Sequence, residues 1–141
     1  MFGYRSFLIL GGGEADILSL VKGGYEVADF EYSFNQPINR MGRASGRVQG
    51  GTIVMVIPQV PPLPLVEWGI KSRKYLDGIV VTLDANNIPL EKLFFKQAAC
   101  VHFEMNYTQT GSSYAETKII VHANNLIVGD GIEFDNEWTD H

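Results

Sequence analysis

The sequence predicts a mainly β domain: seven or eight short strands closing into a barrel or sandwich, with one short helix. Three observations carry that prediction. Ala28, Phe30, Tyr32 and Phe34 alternate with polar residues, the period of a half-buried strand. Residues 93–107 repeat the pattern over a longer run, with Leu93, Phe95, Ala99, Val101, Phe103 and Met105 on one side and Lys96, His102, Glu104 and Asn106 on the other. Gly, Asn, Asp and Pro clusters punctuate the chain at short intervals, and only residues 63–75 read as helix.

Residues 4–10 form the first expected strand, because Phe7, Leu8, Ile9 and Leu10 run into Gly11, Gly12 and Gly13. Residues 17–21 are a second apolar run, too short for periodicity to separate a strand from one helical turn. A strand over 25–34 and another over 52–57 follow, and the unbroken apolar run 53–57 predicts burial on both faces. Between them, residues 35–51 contain Pro37, Gly42, Gly46, Gly50 and Gly51 and have no period, so they form a loop far longer than an ordinary hairpin turn. Arg40, Arg43 and Arg47 lie in it, and no Asp or Glu occurs between Glu31 and Glu67. The expectation is a mobile, purely basic arm carried by two apolar strands.

Pro58, Pro61, Pro62 and Pro64 exclude a central strand, and Pro64 suits the first turn of a helix. That helix is expected to run to Tyr75, ending in Lys71, Arg73 and Lys74. Asp77-Gly78 reads as a turn, 79–83 as a strand and 84–89 as a polar loop. The run 93–107 is long enough to need a bulge near Gln97–Ala99. Residues 111–113 turn the chain, 117–123 form a strand, Asn124-Asn125 a tight turn, and 126–128 a short strand before Gly129-Asp130-Gly131. The tail 132–141 is acidic.

At 141 residues, 45% apolar and 19% charged, the chain makes one globular domain with a sizeable core. The net charge of −5 disfavours general nucleic-acid binding but leaves room for a local basic patch. The single Cys100 excludes an intrachain disulfide framework and a multi-cysteine zinc site. No apolar run is long enough to span a bilayer, and the first residues do not form a Sec-type signal peptide. The expected place of synthesis and folding is the cytoplasm.

Candidate chemistry is sparse. His102 and His122 fall on strands without HxH or HExxH spacing, and Cys100 sits mid-strand among small apolar neighbours. The glycines at 11–13 and 42–51 lack the partners of a dinucleotide or phosphate loop. Glu91, Glu104 and Glu116 are scattered, and nothing selects a catalytic pair. These residues predict no enzyme and no cofactor. What stands out is a charge asymmetry. The arm is basic, and no Lys or Arg follows Lys118, whereas Asp130, Glu133, Asp135, Glu137 and Asp140 do.

Tyr32-Ser33-Phe34-Asn35-Gln36, then Asn39, Gly42, Arg43, Ser45 and Arg47, then Gly50-Gly51-Thr52-Ile53 form an ordered series. Leu65-Val66-Glu67-Trp68, Asp77-Gly78-Ile79, the strand 93–104 and Glu133-Phe134-Asp135-Asn136-Glu137-Trp138 continue it. Over about 25–138 this series resembles the type VI secretion tube proteins, the Hcp/TssD family, in its Bacteroidetes form. The resemblance implies an Hcp-like β-barrel with one short helix, assembled as a hexameric ring. Rings would stack into a hollow tube that a contractile sheath expels with effectors, without a signal peptide. The implied partners are further copies of the chain, sheath, spike and baseplate proteins, and effector cargo, with no nucleic acid and no membrane insertion. The single domain would span 1–141, with a possible insertion at 11–21. The family's long loop contacts neighbouring subunits and rings. That makes Arg40, Arg43, Ser45 and Arg47 expected interface residues, with Asp130, Glu133 and Asp135 as their acidic counterparts. The residues themselves leave two other classes open: a monomeric β-barrel binding an anionic ligand through loop 35–51, and a small β-fold enzyme.

Overall fold

A computed structural model describes residues 4–11, 24–109 and 114–136. Among them are eight strands and one helix: β1 (Arg5–Leu10), β2 (Tyr25–Val27), β3 (Asp29–Tyr32), β4 (Thr52–Ile57), α1 (Leu63–Ile70), β5 (Tyr75–Leu83), β6 (Pro89–Thr108), β7 (Tyr114–Val128) and β8 (Ile132–Asp135). The strands follow the order β2-β1-β5-β6-β7-β4-β3, all antiparallel, and β8 pairs with β7. The sheet curls into a nearly closed barrel. Its interior is filled by Leu8, Ile53, Met55, Ile57, Val80, Leu93, Phe95, Ile119 and Val121 among others.

The strand expected over 25–34 is two. The chain bends at Ala28, so β2 pairs with β1 at one end of the sheet order and β3 with β4 at the other. Ala28 is exposed, and its N–H donates to Val56 O at 2.7 Å. This bend carries the chain between the two sheet edges, a tertiary demand that local alternation does not encode.

The helix is shorter than expected. It stops at Ile70, where Lys71 is extended and its N–H donates to Glu67 O. Arg73 takes a left-handed φ of 56°, which no continuing helix allows. Lys71 and Lys74 both reach back to Glu67, and the Lys74 hydrogen bond is the main cause of that carboxyl lying below its usual range. Trp68 is fully buried, stacks on Phe95 with ring centroids 6.1 Å apart, and donates Nε1–H to Ala98 O at 3.0 Å.

Two expected turns are strand interior. At Gly78 the Phe95 ring occupies the place of a side chain, since a Cβ would lie 2.4 Å from Phe95 Cζ. Asp77 Oδ1 meanwhile accepts the Gln97 N–H. Asn124 and Asn125 stay in β7 because their side chains donate to Gln97 Oε1 and Glu133 Oε2 across the sheet.

The expected bulge is present: Gln97 has φ 52° and drops out of the β5 register between Leu76 and Gly78. It shifts the alternation by one, so Ala98 and not Ala99 is buried. A second irregularity between Cys100 and His102 leaves Val101 exposed and returns Phe103 to the core side. The expected runs at 17–21 and 111–113, and Trp138, lie outside the described residues.

Candidate functional site

Strands β6, β7, β4 and β3 form a layer whose two edges carry no strand among the described residues. The β5 pairing of β6 ends at Tyr75↔Ala99, so from Cys100 to Thr108 β6 has a strand on its β7 side only. β3 pairs with β4 alone. The layer's inner face supplies Ile53, Met55, Ile57, Ile119 and Val121 to the core, while Val54, Val56 and Ile120 on the outer face are half-buried. The two-faced burial expected for 53–57 is thus complete on one face and partial on the other. An unpaired strand edge is a row of backbone donors and acceptors that a second chain can complete.

Between β3 and β4 stands the basic arm. It was expected to be slack, but it is a long hairpin with its own hydrogen bonds. Asn35 and Gln49 exchange backbone bonds of 2.8 and 2.6 Å, Ser45 N–H donates to Pro37 O, and Ile38 bridges Ala44. At the tip, Asn39 Oδ1 accepts the N–H groups of Met41 and Arg43, and Gly42 supplies the φ of 80° that the turn needs. Arg40, Arg43, Ser45 and Arg47 are all exposed along this frame, and Met41 projects from the tip at 80% exposure.

The base of the arm is fixed to β8. The Phe34 and Phe134 rings lie 5.1 Å apart, and Asn136 Nδ2 donates to Gly50 O at 3.2 Å and Ala123 O at 2.8 Å. Gly51, at φ 98°, passes so close to Ala123 O that a Cβ would sit 2.5 Å away. β8 therefore continues along β7 where β4 leaves it, since Thr52 pairs with His122 and Asp135 with Asn125. The acidic candidates do not cluster. Asp135 lies at the end of β8 near the arm base, Glu133 accepts from Asn125, and Asp130 sits in the turn at the other end of the strand. The sequence reading missed that Asn136 and Phe134 anchor the arm. The alternation Ile132, Phe134 after a Gly-Asp-Gly turn was the available signal.

The titratable groups are placed structurally. Tyr32 Oη donates to Glu91 Oε1 at 2.8 Å, and burial first, then this bond, pushes its pKa up to about 12. Burial raises the Cys100 thiol, whose Sγ lies 3.2 Å from His102 O. Bonds from Asn106 and then His102 hold the Glu104 carboxyl below its usual range. His122 Nδ1 lies 2.9 Å from Thr52 Oγ1. Among the described residues no three His, Cys, Asp or Glu converge as a metal site. A cavity of about 550 Å³ is lined by Lys92, Phe94, Lys96 and Asp130, with Asp77 beside it already engaged by Gln97.

The family model of the hemolysin coregulated protein Hcp (TssD) matches residues 5–139. Among solved structures, Hcp1 from Flavobacterium johnsoniae superposes with a TM-score of 0.78 at 23% identity, covering 93% of this chain and 98% of that one. Hcp1 from Salmonella typhimurium gives 0.70 at 16% identity, with 94% of each chain covered. A chain from the baseplate of the anti-feeding prophage gives 0.53 at 12% identity, with 89% of this chain and 91% of that one covered. At these identities the structural likenesses show the fold. No curated protein matches.

Proposed function

The chain belongs to the hemolysin coregulated protein (Hcp, TssD) family of type VI secretion tube proteins, and from that premise we propose that it builds the tube. Six copies close into a ring, rings stack into a hollow tube, and sheath contraction expels the tube with its effector cargo. The role is structural, with no catalytic step. Its partners are further copies of itself, the sheath, the spike and the baseplate. It resides in the cytoplasm before firing and leaves through the secretion apparatus.

One observation supports this reading above the others: among the described residues, no strand pairs with either edge of the β6-β7-β4-β3 layer. Two different open edges on one layer suit a head-to-tail contact, which closes into a ring when the rotation between copies permits. In such a ring the β3 edge of one copy pairs with the 100–108 edge of the next. The exposed Val101 and Tyr107 near that edge are then covered by the neighbour.

Sedimentation at micromolar concentration, with negative-stain images of the same sample, tests the reading. The expected species is a ring with a mass several times the 15.7 kDa chain. A clean monomer overturns it. A monomer that also shifts nucleic acid in a salt-sensitive way would establish instead a binding module using the arm, where Arg40 and Arg43 are exposed on a rigid frame.

A further inference from the structure

We propose that β8 is a clamp that sets the direction of the arm, with Phe134 holding the leg that enters it and Asn136 the leg that leaves it; that a neighbouring copy reads this direction rests on the tube reading.

Phe134 in β8 and Asn136 just past its end are two residues apart, and both turn to the arm. The Phe134 ring lies 5.1 Å from Phe34, on the entering leg. Asn136 Nδ2 donates to Gly50 O at 3.2 Å, on the leaving leg, and to Ala123 O at 2.8 Å, on β7. One amide thus ties the leaving leg to the sheet. Its own position is set by β7, because the Asn136 N–H donates to Asn124 O at 2.8 Å. Two glycines make room for this arrangement. A Cβ on Gly50 would lie 2.4 Å from the Phe34 ring, and one on Gly51 would lie 2.7 Å from Asn136 Nδ2. The hairpin's own bonds begin just beyond, at Asn35 and Gln49. The angle between arm and barrel is therefore set where the clamp sits.

A stiff arm amplifies a small rotation at its base. From Asn35 to Met41 the chain spans about 20 Å at strand spacing, so a turn of about 15° moves the tip about 5 Å. Arg40 and Arg43 stand exposed at that tip. An ion pair needs N···O within about 4 Å, so a shift of this size breaks it. The clamp is also easy to open. β8 has four residues, and among the described residues it pairs with β7 alone. Elements with so few partners open locally at low free energy. The arm's direction then follows a local equilibrium at β8, aimed when the clamp is closed and swinging when it is open.

The test uses the full chain with Cys100→Ser and a dye on Met41→Cys at the arm tip. Time-resolved anisotropy reads the swing of the arm, and denaturant midpoints read the fold. Asn136→Leu keeps the side chain's size, removes its donor and adds no charge. It should raise the swinging fraction about tenfold, the effect of losing two hydrogen bonds on a local equilibrium. Phe134→Ala should loosen the tip from the other leg. Asn124→Ala removes a side-chain bond from β7 to Gln97 and should leave the tip as it was. An unchanged tip in both clamp variants, or equal loosening by Asn124→Ala, overturns the clamp. Unlabelled samples test the reading of the arm's direction. Rings of Asn136→Leu should keep the parent's mass and stack about tenfold less, with every arginine of the arm in place. Rings that stack like the parent while the tip swings overturn that step. Monomers whose tip loosens in Asn136→Leu uphold the clamp and overturn the tube.

Discussion

Tyr32 on β3 donates its hydroxyl to Glu91 on β6 at 2.8 Å, joining two strands that are not neighbours in the sheet. The bond crosses the barrel beside the ladder of Phe30, Tyr32, Phe34 and Phe134. Removing it with Tyr32→Phe leaves a partly buried acceptor behind. The expected loss is about 1–3 kcal/mol, read from denaturant midpoints at neutral pH.

The same bond gives a pH dependence with a definite sign. Folding raises the Tyr32 pKa from 10 to about 12, so above pH 10 the unfolded chain loses this proton first. The unfolded state then binds fewer protons, and stability falls as pH rises from about 10 to 12. Denaturant midpoints across that window should decline less steeply in Tyr32→Phe than in the parent. Parallel profiles would show that the hydroxyl is not held this way.

Trp68→Ala should destabilise the chain by about 3–5 kcal/mol, because the indole is fully buried, stacked on Phe95 and bonded to Ala98 O. Trp68→Phe keeps the ring contact and loses the bond, so its loss should be smaller. A melt of the alanine variant within error of the parent would contradict the packing of α1 on β6.

Gly78→Ala tests why an Asp-Gly pair sits inside a strand. The new methyl would meet the Phe95 ring at 2.4 Å and Ile9 O at 2.8 Å, so one of them must move. The expected loss is about 1–3 kcal/mol. Here the sequence was legible only in part. The strand over 52–57, the bulge at Gln97 and the burial of Trp68 follow from apolar runs, strand length and side-chain size, but the fuller burial of one face of the all-apolar 53–57 does not. The continuation of β5 through Gly78 and of β7 through Asn124-Asn125 does not. In each, a distant residue, Phe95, Gln97 or Glu133, removes the reason for a turn. The helix end was misread because Lys71 and Lys74 answer Glu67 and not the helix dipole. The split at Ala28 was hidden because the residue is small and its two flanking strands have opposite partners. Of the site, the arm's composition and exposed arginines could be read, but its hydrogen-bonded frame and its anchoring by Asn136 could not.

Stacking supplies a further prediction. Arg40, Arg43 and Arg47 are proposed to meet acidic groups of the next ring, with Asp130, Glu133 and Asp135 as partners. An exposed pair contributes only about 0–1 kcal/mol, but repetition around a ring can shift stacking tenfold at about 1.4 kcal/mol per decade. Arg40→Glu with Arg43→Glu should leave ring mass unchanged and abolish stacking in electron micrographs, with partial rescue by Asp130→Lys and Glu133→Lys. Stacking that survives charge reversal assigns the arm another role. Added salt should weaken the contact in the parent.

The strand order also sets a timetable for folding. β5, β6, β7 and β8 pair in sequence succession as a meander, and β1 with β2 and β3 with β4 pair as neighbours, whereas β1 waits for β5 (Ser6↔Thr82) and β4 for β7 (Ile53↔Val121). Long-range closures of this kind slow folding to roughly milliseconds to seconds. We expect the meander to nucleate first and β1–β4 to dock late, so that substitutions at Phe95 retard folding while those at Leu8 mainly speed unfolding. A nascent chain that stops before β7 would hold β4 paired with β3 alone, lacking its β7 neighbour and the β7 side chains that cover its apolar face. That interval is when aggregation competes with folding.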